Sequence, residues 1–246
     1  MGNWLKLKTL IVGCSFCSTL GEQQPNQWTL NNNITVAATS GTGNQAMAAR
    51  VLYECAENSY DQVIVIWTGI NRLDTVITRA LHETYPGAWE GRPDYSFCTP
   101  IKGSVWYHAG GQAGSWTWDK TCPADIRQIF KTQYLGADAR YMSDISLSNI
   151  AYTQSFLEKH KINYQMSFIY NPLLDYSNTL HEHHFGTIDQ SSSYYKLVDW
   201  DKIKIDNTAF EWAKTEPNAL EPDQLHPIRD AMKKWIDLTF GIDISA

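Results

Sequence analysis

Apolar residues fall along the chain in short runs separated by polar, glycine-rich punctuation. Leu7 to Val12 is one such run, closed by Gly13, and Ile34 to Ala38 is another, closed by Ser40-Gly41-Thr42-Gly43; both read as strands buried on two faces. Asn44 then caps a predicted helix in which Ala46, Met47, Ala49, Arg50, Val51, Tyr53 and Glu54 have helical spacing and propensity. Gln62 to Trp67 is the clearest strand, followed by Thr68-Gly69-Ile70-Asn71 and a helix predicted from about Arg72 to His82. Strand and helix in alternation predict an α/β fold with a parallel sheet and helices on both faces.

The pattern breaks from Tyr85 to Trp118, where glycines, prolines and aromatics follow no period, and the irregular insertion extends over about 85–142. Regularity returns with a helix near Ser143 to His160 and a strand from Tyr164 to Tyr170, ended by Asn171-Pro172. A second irregular stretch covers about 171–221, and an amphipathic helix from about Pro227 to Leu238 closes the chain. With no internal repeat and no low-complexity linker, residues 1–246 read as one elaborated domain.

Composition narrows the functional classes. Hydrophobic residues make up 43% and charged residues 19%, which excludes disorder, and a net charge of −6 without a basic tract argues against nonspecific binding to nucleic acid or anionic membrane. The 10 Trp, 13 Tyr and 8 Phe exceed what a core needs, so some are expected on a binding surface. Lys6 to Cys14 imitates a lipoprotein signal, but its apolar part is too short, and nowhere do 18 apolar residues run together. The expectation is a soluble protein made in a cytoplasm without a cleavable signal peptide. Five cysteines, at 14, 17, 55, 98 and 122, cannot all pair within the chain, so reduced thiols are expected.

In a parallel sheet, ligands bind beyond the carboxyl ends of the strands, which directs attention to the polar residues there. Ser15 follows the first strand, Gly41 the second and Asn71 the third, while Asp223 and His226 precede the last helix. A serine becomes a nucleophile beside a base, and a histidine base needs a carboxylate on its other nitrogen; Ser15, His226 and Asp223 supply the three. The N–H groups of Ser15 and Gly41 and the side-chain amide of Asn71 are suited to an oxyanion hole.

These four blocks, in this order, resemble the SGNH (GDSL-type) hydrolase superfamily. Its Ser, Gly, Asn and His fall on Ser15, Gly41, Asn71 and His226, with Asp223 in D-x-x-H spacing and Gly69-Ile70-Asn71 matching G-x-N; Cys14 stands where the family has the Asp of G-D-S. The resemblance implies a flavodoxin-like three-layer sandwich, a shallow site, no cofactor and hydrolysis of an O-acyl ester. The texture of Gly13-Cys14-Ser15-Phe16, the Trp-rich insertion and the D-x-x-H-P block is also similar to SGNH-like proteins encoded by tailed phages and marine viruses, which implies incorporation into a virion. The reading is a serine esterase or deacetylase acting on an acylated carbohydrate or similar polar ester. The alternative is a non-catalytic structural or binding module, a virion or tail component, with virion or homo-oligomer contacts.

Other features are assigned less chemistry. Gly41-Thr42-Gly43-Asn44-Gln45-Ala46 satisfies the dinucleotide fingerprint but follows the wrong strand, and Asp61 precedes its strand instead of ending it. Cys14-Ser15-Phe16-Cys17 is a C-x-x-C without a second pair, and His181-Glu182-His183-His184 lacks metal-ligand spacing, so no metal site is expected. Cys14 is an alternative nucleophile. His82, His108 and His160 have no partner spacing. In the insertion, Trp89, Trp106, Trp116 and Trp118 are spaced too irregularly for one helix face, and Trp106 and Trp116 are the expected substrate-binding rings, with packing in a satellite core as the competing reading.

Overall fold

Leu10, Ile11 and Val12 are at most 1% exposed, as a strand covered on both faces requires. They lie in β1 (Thr9–Gly13) of the computed structural model, which describes residues 7–18, 20, 28–31, 33–38, 42–78, 104–110, 128, 132, 138–176, 186–223 and 225–244. Beside β1 run β2 (Trp28–Asn31), β3 (Ile34–Ala38), β4 (Gln62–Trp67), β7 (Asn163–Phe168) and the short β8 (Ile203–Lys204), in the spatial order β2-β3-β1-β4-β7-β8. All pairings are parallel except that of β2, which is antiparallel to β3 at the sheet edge.

Helices among the described residues include α1 (Ser15–Ser18), α2 (Asn44–Glu57), α3 (Ala139–Lys159), α4 (Ala209–Thr215) and α5 (Arg229–Phe240). The connection from β1 to β3 crosses the sheet in one direction, and those from β3 through β4 and β7 to β8 cross it in the other. Helices flank this sheet, and the fold is the expected three-layer α/β sandwich. Helices α2 and α3 pack on each other, as do α4 and α5. Trp67, Trp235, Tyr170, Phe16 and Phe168 are among the largest fully buried side chains; each contributes on the order of 2 kcal/mol from area removed from water.

Several elements differ from the sequence expectation. Arg72–Thr78 is not a helix but strand β5, paired antiparallel along its whole length with β6 (Ser104–Gly110) in a separate two-stranded sheet. The run Thr75-Val76-Ile77-Thr78 is entirely β-branched, and its χ1 stiffness favours the extended chain. Strand β6 thus gives regular structure to part of the insertion, and the 171–221 stretch contains α4 and 3-10 turns at Ser193–Leu197 and Trp200–Lys202. Helix α3 begins earlier than its apolar pattern, at the cap Asp138, whose carboxylate accepts the N–H of Tyr141 at 2.6 Å.

Asn44 does not cap α2. Gly43 is the cap residue, and the first-turn amides are satisfied from another element: the Asp74 carboxylate on β5 accepts the N–H of Gly43 at 2.9 Å and that of Ala46 at 2.7 Å. A carboxylate at this end also complements the helix dipole. Asp74→Ala is therefore expected to lower stability by about 2 kcal/mol, read as a shifted urea midpoint with unchanged m-value. A midpoint equal to that of the wild type would show that water replaces the carboxylate at no cost.

Candidate active site

Strand β1 lies between β3 and β4, and Gly13 is level with Ala38 of β3 while Val12 is level with Val65 of β4. The turns after these three strands consequently meet at one edge, at the point where the chain reverses its direction across the sheet, the usual location of a ligand crevice. Immediately after Gly13 the chain turns into α1. A Cβ at Gly13 would lie 2.2 Å from Cys17 Sγ, so glycine is what lets the short helix fold back this closely. Ser15 opens that helix and is half-buried, between the buried Cys14 and Phe16.

The other half of the site comes from the segment before α5. Glu221 N–H donates to the His226 carbonyl at 2.7 Å and Ile228 N–H to the Ala219 carbonyl at 2.8 Å, closing a narrow loop with Leu220 bridged to Pro227. At its tip Asp223 Oδ1 accepts the N–H groups of Leu225 at 2.9 Å and His226 at 3.0 Å, while Oδ2 lies 2.6 Å from His226 Nδ1. Partial burial pushes the Asp223 carboxyl up, but the hydrogen bonds from the His226 ring and the two backbone amides outweigh it and hold the group below the usual carboxylate range. An ionised Asp223 fixes the proton on Nδ1, leaving Nε2 as an acceptor.

His226 Nε2 lies 3.0 Å from Ser15 Oγ, across 211 positions of sequence. The sequence-predicted Ser15, His226 and Asp223 thus form one hydrogen-bonded line. The geometry suits proton transfer from the hydroxyl to the imidazole. Phe16 packs its ring against the imidazole at a centroid distance of 4.8 Å, fixing the ring plane. This contact was not anticipated, although Phe16 adjoins Ser15 in the first block.

Asn71 sits in the turn after β4, beside the end of β1, and is half-buried. Gly41 lies outside the described residues, but its block continues at Thr42, whose carbonyl accepts from Arg72 Nη1 at 3.4 Å. The dinucleotide reading is closed off, because the Asp74 carboxylate already occupies the α2 amides that a phosphate would use, and Asp61 accepts the Lys8 N–H at the opposite edge of the sheet.

Cys14 is wholly buried, unlike Ser15; Cys17 is also buried, and its thiol is pushed well up by that burial and by Cys14. Both are free thiols. Among the described residues no group of His, Cys, Asp or Glu gathers to hold a metal ion, and no helix is long and apolar enough to cross a membrane. His160 packs on Phe156 at the far end of α3. Trp106 and His108 lie on β6, level with Val76 and Asp74 of β5, and their side chains are outside the described set. Trp89, Trp116, Trp118, His82 and the His181 to His184 segment also lie outside the described residues.

No family model matches the chain, and no curated protein matches it. Solved structures similar to it include a catalytic mutant of Axe2, an acetylxylan esterase from Geobacillus stearothermophilus, at 13% identity and a TM-score of 0.45 over 97% of this chain and 94% of that one. A second Axe2 mutant, described as an acetyl-xylooligosaccharide esterase, gives 14% identity and a TM-score of 0.44 over 98% and 94%. At these values the likeness carries no inference about chemistry.

The depressed Asp223 carboxyl makes a pH-dependent contribution to stability. Because its folded-state pKa lies below the unfolded value, the contribution is fully present above the ordinary carboxylate pKa of about 4 and is lost as pH falls through the lower folded value. Solvent screening of this half-exposed carboxylate keeps it below about 1 kcal/mol. Urea titrations should show Asp223→Asn less stable than wild type at pH 7, with the gap closing as pH falls below the ordinary carboxylate pKa of about 4. A gap that widens on acidification would contradict the assignment.

Proposed function

We propose that the chain is an SGNH-type serine hydrolase that removes an O-acyl group, acting as an esterase or deacetylase on a carbohydrate or similar polar ester. The observation that carries this reading is the line from Ser15 Oγ through His226 to Asp223, at 3.0 and 2.6 Å, at the carboxyl edge of a parallel sheet. Phe16 and the closed loop around Asp223 hold that line in place, as a preorganised site requires.

In the acylation half-reaction Ser15 Oγ attacks the acyl carbonyl carbon while its proton passes to His226 Nε2. Asp223 remains ionised and stabilises the imidazolium through Nδ1–H. The oxyanion of the tetrahedral intermediate is received by the N–H groups of Ser15 and Gly41 and the Asn71 side-chain amide. Collapse breaks the bond to the leaving alkoxide, which takes the proton from His226 and departs as an alcohol. Water then attacks the acyl-enzyme with His226 as base, releasing a carboxylic acid and restoring Ser15.

The preference for a carbohydrate ester rests on two features. His226 and Asp223 are 26% and 48% exposed, so the catalytic line is open to a substrate larger than a simple ester. The chain's aromatic content supplies flat rings of the kind that stack on sugars, and Trp106 and Trp116 are the residues proposed to bind the sugar.

Hydrolysis of a small aryl acetate tests the reading. Ser15→Ala and His226→Ala should each lower kcat by about three orders of magnitude or more with little change in Tm. Asn71→Ala should lower kcat about 100- to 1,000-fold with KM nearly constant, as loss of an oxyanion donor requires. Full activity in Ser15→Ala would refute the mechanism, and an Asn71→Ala effect confined to KM would reassign Asn71 to substrate binding.

A further inference from the structure

The turn carrying Asn71 is held from two sides by side chains that do not reach the catalytic line. On the α2 side, Asn44 is 1% exposed and pairs with the Thr68 peptide unit at both ends: Oδ1 accepts the Thr68 N–H at 2.9 Å, and Nδ2 donates to the Thr68 carbonyl at 3.4 Å. Nδ2 also donates to Ser146 Oγ on α3 at 3.2 Å, so the amide is tied to the helical layer as well. Because α2 follows β3 and Thr68 follows β4, this pair ties the start of α2 to the turn that leads to Asn71, across the end of β1.

On the other side stands Tyr170, fully buried just beyond β7. Its hydroxyl accepts the Ile70 N–H at 3.2 Å and the Gly186 N–H at 3.0 Å, and donates to the Gly186 carbonyl at 2.7 Å. Gly186 presses directly on the same turn: a Cβ there would stand 2.6 Å from Ile70 Cγ1 and 3.6 Å from Asn71 Cβ. Burial, offset in part by the Gly186 and Ile70 backbone hydrogen bonds, pushes the phenol up to about 12, so it remains a neutral donor over the range in which an esterase works. Tyr176 packs edge-on at 5.2 Å and confines the ring.

We propose that Asn44 and Tyr170 are positioning residues that together set where the Asn71 amide stands, and through it the strength of the oxyanion hole. The inference rests on the hydrolase reading of the site. Neither residue touches the acyl group; each acts by restricting the two or three peptide units on which Asn71 is mounted. A donor displaced by a fraction of an ångström stabilises the transition state less while binding the ground-state ester as before, so the loss falls on kcat.

A double-mutant cycle with an aryl acetate provides the test. Tyr170→Phe keeps the ring and removes only the hydroxyl; it should lower kcat about 10- to 100-fold, with KM within about twofold of wild type. Combined with Asn71→Ala, it should lower kcat no further, because a residue acting through Asn71 has nothing left to position. Asn44→Asp, which keeps the acceptor for Thr68 N–H and loses the donor to its carbonyl, should show the same pattern and serves if Tyr170→Phe does not fold. In a 15N-labelled protein the Asn71 side-chain amide resonances should shift in both variants. Equal losses of kcat with and without Asn71→Ala, or unchanged amide resonances, would overturn the positioning role while leaving the hydrolase reading intact. Wild-type protein without turnover would overturn the hydrolase reading and this inference with it.

Discussion

The parallel pairing of β1 with β3 on one side and β4 on the other is the constraint from which the site follows. Parallel strands end at the same edge, so the turns bearing Ser15, Thr42 to Asn44, and Asn71 are brought together by backbone hydrogen bonds alone. The reversal of chain direction at β1 is the kind of switch point at which ligand crevices form in such sheets. Gly13 then turns the chain at once, at the cost of a close contact with Cys17 that no other residue would allow.

Asp223 and His226 need no sheet. Asp223 and His226 belong to a loop that closes on itself through backbone bonds, so their mutual geometry is local, and only the docking of that loop against Ser15 and Phe16 is long-range. This division explains why a three-residue spacing carries so much of the site: the Asp223 carboxylate satisfies two backbone amides and one ring nitrogen within four residues. The Asn71 side of the site is built differently. Asn71 is mounted on a turn whose supports, Asn44 and Tyr170, come from distant parts of the chain.

What could be read from the sequence divides along the same line. Ile34 to Ala38 and Gln62 to Trp67 were legible to the residue, because strands covered on both faces appear as unbroken apolar runs. The proximity of Ser15 to His226 was legible only through the order of blocks along an α/β scaffold. In the stretch from Arg72, Leu73, Val76 and Ile77 satisfy helical spacing as well as a strand, and the partner that makes it a strand, β6, begins 26 residues beyond its end. No local pattern announces that Asp74 will cap α2 from 28 and 31 positions away, or that Tyr170 will brace Ile70 from 100 positions away. Such contacts depend on the finished fold.

Covalent trapping tests the proposed activation of Ser15 by His226 directly. Incubation of the purified protein with a fluorophosphonate, followed by peptide mapping by mass spectrometry, should place a single adduct on Ser15, and His226→Ala should abolish it while the protein remains folded. An adduct on Cys14, or no adduct on a folded wild-type protein, would contradict an activated serine at the end of β1.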